Sequence, residues 1–268
     1  MNILQIIENK YLDFSIKEKK IADYLLQNAE EVKNINISVL AKETGSSPAT
    51  ITRFSKKVGV DSFVELKMLL NSHKVEDSNA ETINETEIAN EILKYYTKVI
   101  EETKARVDYK KLEEAVNLIR GARNVYIYGL GNSGLTAQEF SYRLMRMGLS
   151  AKEIVDPHIM LMNDAIIEST DVIIVISSSG ETPEIIKALT NTNSSKSKII
   201  SLTSFSKSTL ADISDIVLLS YYSRFINNER FVNSQFATIY VVDIITTLLL
   251  DIPEYREKMN KTIEVVTK

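Results

Sequence analysis

The chain has 268 residues, 44% of them hydrophobic and 25% charged, the proportions of a folded globular protein. It has no cysteine and two histidines, His73 and His158, which excludes disulfides, cysteine nucleophiles, cysteine-held metals and a histidine-rich metal centre. A formal net charge of −4 argues against a chain that coats nucleic acid over its whole surface, but permits one basic face. Acids and asparagines interrupt the apolar run of MNILQIIENK, so it does not read as a signal peptide. The most apolar segment, Phe236–Leu250, is shorter than the ~20 residues a membrane span needs and reads as a buried helix. The expectation is a cytoplasmic protein with no membrane partner, no metal and no cofactor.

The first part reads as short helices. Ser15-Ile16-Lys17-Glu18 has the form of a capping box, and Ile21, Ala22 and Leu25 follow on one helical face. Ser62-Phe63-Val64-Glu65 repeats the box before Leu66, Leu69 and Leu70. Between them, Ile37, Leu40, Ala41 and Thr44 share a face, and Gly45 provides a left-handed stop. Ser47 can cap the next helix, with Pro48 in its first position. Helix, glycine turn, helix is the helix-turn-helix pattern. In the second helix Ile51, Phe54 and Val58 point inward. Ala49, Thr52, Arg53 and Lys56 point outward, flanked by Thr50 and Lys57. That outward face suits a major groove: a small residue and hydroxyls at the front, Arg53 for a bidentate contact to guanine, Lys56 and Lys57 for phosphates. A plain helical bundle with a basic solvated face is the structural alternative.

EKKIADYLLQNAEEV followed by ISVLAKETGSSPATITRFSKKVGVDSFVELK resembles the N-terminal domain of RpiR-type bacterial transcriptional regulators. The resemblance implies operator DNA as a partner and Ser47 to Lys57 as the recognition helix. Residues 72 to 90 then change character: no aromatics, and Glu76, Asp77, Glu81, Glu85 and Glu87 with no basic residue after Lys74. This is read as an exposed acidic linker that DNA would repel. The expected parts are a helix-turn-helix domain over 1–74, a linker over 75–90 and a second domain over 91–268.

In the second domain, Val125–Tyr128, Ser150–Ile154, Val172–Ile176, Ile199–Thr203 and Ile216–Leu219 read as strands alternating with helices. That alternation predicts βαβ units: a three-layer α/β domain with a five-stranded parallel sheet. The stretch Val172 to Thr182, VIIVISSSGET, carries the clearest chemistry. A buried strand ends at Ser177-Ser178-Ser179-Gly180, and Thr182 and Pro183 open a helix. Hydroxyls, a glycine and a helix N-terminus at a strand's carboxyl end make an anion cradle. The loop holds no lysine, histidine or cysteine, so nothing in it attacks the anion. A second loop, VYIYGLGNSG, sets Gly129, Gly131 and Gly134 as G-x-G-x-x-G between strand and helix. Alone that reads as a dinucleotide fingerprint, with Glu153 or Asp156 as the ribose acid. Against it, Ser133 beside Asn132 adds a hydroxyl here, and two hydroxyl-lined loops suit one phosphate monoester better than a pyrophosphate.

GLGNSG, SSSGET and TSFSKSTLADISD together resemble a sugar isomerase (SIS) domain, the domain that RpiR-type regulators carry after the helix-turn-helix. The resemblance implies a phosphosugar effector bound by Gly131, Asn132, Ser133, Ser177, Ser178, Ser179, Gly180 and Thr182, with Thr203 and Ser204 as further lining. It also brings Asp156 and His158 to notice, read here as a helix cap. The pattern departs at Ser234-Gln235, where many members have Ser-Arg, while Glu229 and Asp243 remain. An aldose–ketose isomerase would need a general base. His158, Glu181 and Glu229 are the options, and no pair of them stands out, so the chain reads as a regulator rather than an enzyme. A dinucleotide-responsive repressor is the other alternative. Helix-turn-helix proteins act as dimers, so a homodimer or higher homo-oligomer is expected, with the apolar Phe231–Leu250 stretch as interface or core.

Overall fold

The structure is a computed structural model that describes residues 3–28, 32, 35–71, 85–190, 197–222, 233 and 235–267. His73, residues 75–84 of the expected linker, Glu229, Phe231 and Ser234 lie outside the described residues. The chain divides into two compact units, with the first boundary between Ile92 and Leu93.

The first unit contains α1 (Ile3–Asn9), α2 (Ile16–Gln27), α3 (Ile37–Glu43), α4 (Pro48–Lys57) and α5 (Phe63–Asn71). Ser15 caps α2 and Glu18 reaches back to the Ser15 N–H at 2.8 Å, completing the predicted box. Ser62 Oγ accepts from the Glu65 N–H at 3.1 Å, but the Glu65 carboxylate takes the Asp61 N–H instead. One core closes the unit. Ile21, Leu25, Leu40, Ile51, Phe54 and Leu66 are fully buried in it, each worth ~1.5–3 kcal/mol against exposure.

The second unit is doubly wound. Helix α6 (Glu85–Arg106) starts inside the expected linker and crosses into it. Then come α7 (Tyr109–Gly121), β1 (Val125–Gly129), α8 (Asn132–Arg146), β2 (Ala151–Ile154), α9 (Pro157–Asn163), β3 (Val172–Ile176), α10 (Pro183–Thr190), β4 (Lys198–Thr203), α11 (Thr209–Asp212), β5 (Ile216–Leu219), α12 (Phe236–Leu250) and α13 (Pro253–Thr267). The sheet is entirely parallel, in the order β2-β1-β3-β4-β5. The alternation along β3 assigns its two faces. Val172, Ile174 and Ile176 pack with α7, α8 and α12, while Ile173 and Val175 pack with α9, α10 and α11. Both faces are covered, which is why the strand is apolar at every position.

Helix α12 belongs to the core. Val241, Val242, Ile245 and Leu249 are buried against the sheet layer, and Ala237 is buried in a smaller cluster with Val99 and Tyr221, so burial inside the unit accounts for the apolar character that the sequence left open between interface and core. No described helix is long and apolar enough to cross a membrane by itself.

A half-buried ion pair, Arg123 with Asp171, ties the start of β1 to the start of β3. The Asp171 carboxylate, without exposed surface, accepts from Arg123 at 2.9 and 2.7 Å, from Asn124 Nδ2 at 3.0 Å and from the Glu168 N–H at 2.8 Å. Burial pushes its pKa up, but the Arg123 and backbone hydrogen bonds outweigh that and hold it below the ordinary 3.8. A depressed folded value means the stabilisation is complete above the unfolded value and is lost as pH falls through the folded one. Asp171→Ala is therefore expected to cost ~2–3 kcal/mol at neutral pH, a fall in melting temperature of about 5–10 °C. The difference from the unmutated chain should shrink below about pH 4. Melting curves across pH check both statements.

Candidate functional site

The switch point of a doubly wound sheet lies where the strand order reverses, and ligands bind there at the carboxyl ends. Here that point is between β1 and β3. Gly129 pairs with Ile176 in register, so the two loops leave neighbouring strands side by side, ~4.8 Å apart at the strand ends. Leu202 pairs with Ile176 on the other side, which brings the loop after β4 alongside as well. The two predicted loops therefore leave the same edge of the sheet beside each other.

In the first loop, Gly131 takes a positive φ of +56° and caps α8. Asn132 is exposed and Ser133 half-buried at its mouth. Gly129 answers to packing: a Cβ there would lie 2.5 Å from the Ser133 carbonyl oxygen. The backbone of α8 comes too close for any side chain. The glycine spacing thus has a packing cause that needs no dinucleotide. Of the two possible ribose acids, Asp156 is engaged. Its Oδ1 accepts from the N–H groups of His158 and Ile159 at 2.8 and 3.0 Å, capping α9.

The second loop is preorganised by its own hydroxyls and by its neighbour. Ser177 Oγ lies 3.0 Å from Thr182 Oγ1 and accepts from the Gly180 N–H at 3.2 Å. Ser179 is exposed, and its Oγ accepts from the Glu181 N–H at 3.2 Å. The Ser178 carbonyl accepts from the Ser204 N–H at 3.0 Å and from Thr203 Oγ1 at 3.3 Å. The Gly180 carbonyl accepts from the Leu210 N–H at 3.0 Å. Thr203 and Ser204 thus brace the loop from beneath, and both are buried.

Glu181 is the contact that sequence spacing does not disclose. An acid in an anion loop would repel the anion. Here its carboxylate turns aside and accepts from the Thr209 N–H and hydroxyl, both at 2.8 Å. The charge is spent on the first residue of α11, where the helix end favours it. The loop keeps its hydroxyls. Gln235 is buried and accepts from Thr136 Oγ1 on α8 at 3.5 Å, one turn beyond the first loop. Asp243 pairs with Arg143, which also holds Glu139 at 3.1 Å.

The first unit carries the other candidate surface. Gly45 turns at φ +60°, and Ser47 Oγ accepts from the Thr50 N–H at 3.2 Å to open α4 behind Pro48. Ile51, Phe54 and Val58 are buried as the helical spacing requires. Ala49, Arg53 and Lys56 are exposed, with Thr50 and Thr52 half-exposed beside them. Ser47 Oγ also lies 2.9 Å from Thr50 Oγ1, and Thr52 Oγ1 donates to the Pro48 carbonyl at 3.0 Å. Lys57 is set apart from this group. Its ammonium donates to Glu18 at 2.9 Å and to the Asp13 carbonyl at 2.7 Å, and lies 5.5 Å from the centre of the Phe14 ring. Burial tends to raise the Glu18 pKa, but the hydrogen bonds from Lys57 and Ser15 bring it below its ordinary value. Lys57 fastens α4 to the start of α2, so among the described residues the cations this helix turns to solvent away from that anchor are Arg53 and Lys56.

The geometry defines a class: a helix-turn-helix unit joined to a doubly wound unit with a hydroxyl-lined crevice at its switch point. Residues 1–80 match the model of the helix-turn-helix domain of the rpiR family, and residues 118–248 match that of the SIS domain. The chain belongs to the RpiR family of HTH-type transcriptional regulators. It is similar to an uncharacterized HTH-type transcriptional regulator of Clostridium perfringens, 32% identical over 99% of both chains. Among solved structures it is similar to the Vibrio vulnificus NanR protein complexed with ManNAc-6P, with a TM-score of 0.63, 26% identity, and 99% and 98% of the two chains covered. The sugar isomerase domain of an RpiR transcription factor from Sphaerobacter thermophilus shares the fold, with a TM-score of 0.60, 20% identity, and 67% and 97% covered.

Proposed function

We propose that the chain is a transcriptional regulator whose switch-point crevice binds a phosphosugar and alters operator binding by the α4 face. The single observation that supports the effector half is the pairing of Gly129 with Ile176, from which the loops at Gly131–Ser133 and Ser177–Thr182 leave neighbouring strands. A phosphate monoester is the ligand that suits hydroxyl and N–H donors without a cation. The NanR structure with ManNAc-6P supports the same class of ligand. Ser47, Ala49, Thr50, Thr52, Arg53 and Lys56 form the DNA-reading face. Lys57 supports it from behind, and the unit over 1–74 acts as the operator-binding domain. The protein works in the cytoplasm, as a dimer on two half-sites ~34 Å apart.

The reading is of a sensor and not of an isomerase. Glu181 is engaged by Thr209, and Asp156, which precedes His158, closes a helix end. The test is a melting-temperature screen of the intact protein against aldose, ketose and amino-sugar phosphates, with NAD and NADP beside them. A bound effector at 100 times its dissociation constant adds about 2.7 kcal/mol. A rise with one sugar phosphate is expected, and Ser179→Ala with Thr182→Ala should remove it while leaving the chain folded, its unliganded melting temperature lowered only by the loss of the Thr182 and Ser179 loop hydrogen bonds. A rise with a dinucleotide alone would refute the reading.

A further inference from the structure

Helix α8 buries one apolar stripe and leaves another in solvent. Ala137, Phe140 and Leu144 pack against the sheet, while Leu135, Tyr142 and Met145 are exposed on the other side. Toward the end of α8, Tyr142 and Met145 meet the last turns of α13. There Ile263, Val265 and Val266 are also exposed, the two valines at 78% and 83%. These five side chains line an open groove of about 600 Å³, within the ~300–1,000 Å³ of small-ligand sites. A contiguous apolar surface rimmed by polar groups is the mark of a binding site.

The groove carries charge of one sign. Arg146 and Lys261 line it, and among the described residues no acid does. The two cations differ. Lys261 is paired with Glu257 at 2.7 Å. Arg146 is half-buried, and its Nε donates to Thr262 Oγ1 at 3.1 Å, which holds the guanidinium at the groove. Its two Nη groups make no hydrogen bond or ion pair among the described residues. Arg143, one turn earlier, shows the contrast, since Glu139 and Asp243 both engage it. A guanidinium with two Nη donors to spare matches a carboxylate end-on, by two parallel hydrogen bonds. The other polar lining is turned inward. Thr262 and Thr267 donate their hydroxyls to the carbonyls of Met259 and Ile263, at 2.7 and 2.9 Å. Walls so poor in donors suit an alkyl chain and not a sugar.

We propose that this groove is a second small-molecule site, for a free single-chain acyl anion. The carboxylate sits on the Nη groups of Arg146, and the alkyl chain lies along Tyr142, Met145, Ile263, Val265 and Val266. Arg146 is at the end of α8 remote from Gly131–Ser133, fourteen residues or ~21 Å along the helix from Asn132. The inference therefore goes beyond the phosphosugar reading and does not rest on it.

The test is calorimetric titration of the full chain with octanoate, decanoate and octanol, with neither DNA nor sugar phosphate present. Octanoate should bind at one per chain and more tightly than octanol. Decanoate should bind about 10-fold more tightly again, the factor for two further buried methylenes. Arg146→Gln should weaken both acids about 10-fold or more and leave octanol unchanged, a split that lost packing alone would not produce. Val265→Asp, at an exposed position, should weaken all three with the unliganded melting temperature unchanged. Equal binding of octanoate and octanol, no binding of either, or acid binding that survives both variants overturns the proposal. Two further results also overturn it. Binding seen only with phosphatidylglycerol vesicles would assign the groove to a membrane surface. Self-association lost in Val265→Asp, without acid binding in the unmutated chain, would assign it to a second copy. None of these outcomes bears on the sugar-phosphate screen, so the two readings stand or fall separately.

Discussion

Gly180→Val should lower stability by ~2–5 kcal/mol and abolish any effector-induced rise in melting temperature. Two causes add. Gly180 lies at φ +66°, where a side chain costs roughly 1–2 kcal/mol. A Cβ there would also come within 2.2 Å of Ser208 Oγ and 3.0 Å of Thr203 Oγ1. Ser208 has nowhere to retreat: it is buried, accepts from the Ala211 N–H at 3.2 Å and donates to the Phe205 carbonyl at 3.0 Å. Overpacking of this kind costs ~1–3 kcal/mol. Gly45 provides the control, since it shares a positive φ of +60° but has no atom within 4 Å of a Cβ. Gly45→Ala should show the backbone cost alone. Calorimetric melting of both variants, with and without sugar phosphates, separates strain from crowding.

Arg53→Ala should reduce specific operator affinity by ~1–3 kcal/mol, or about 5- to 150-fold, and relax discrimination at one base position. Arg53 is exposed on the outer face of α4, with its Nη2 3.5 Å from Thr50 Oγ1, so its removal leaves the core untouched. Lys56→Ala should weaken binding uniformly across sequences and reduce the salt slope by ~1. Lys57→Ala should act differently. It releases Glu18 and the Asp13 carbonyl, so its main effect is a slightly lower melting temperature, on the scale of ~1 kcal/mol or less for a half-exposed pair. Fluorescence anisotropy at two salt concentrations distinguishes the three. An affinity unchanged by Arg53→Ala would remove α4 from the groove.

Local chemistry made much of this legible in the sequence. The strand Val172–Ile176 and the serine loop behind it declare themselves because both faces of β3 are buried and the run ends abruptly. Ser47, Pro48 and Gly45 bound α4 because caps and turns depend on neighbours three or four residues away. What escaped depends on distant partners. Lys57 looks like any outward lysine until Glu18, 39 residues earlier, is found beside it. Glu181 looks like a spare base until Thr209, 28 residues later, takes its charge. Arg123 and Asp171, 48 residues apart, give no sign of pairing. Helix α12 could not be assigned to core or interface because an all-apolar helix reads the same in either place. The exposed stripe of α8 was hidden for the opposite reason: Leu135, Tyr142 and Met145 interleave with Ala137, Phe140 and Leu144, and only the fold tells the two sets apart.

The most direct test of the account is operator affinity of the intact protein, measured with and without each sugar phosphate that raises its melting temperature. The account predicts that at least one changes affinity by about 5- to 150-fold, a coupling of ~1–3 kcal/mol. Ser179→Ala with Thr182→Ala should erase that change and leave the effector-free affinity as it was. An operator affinity identical in the presence and absence of every stabilising sugar phosphate would contradict it.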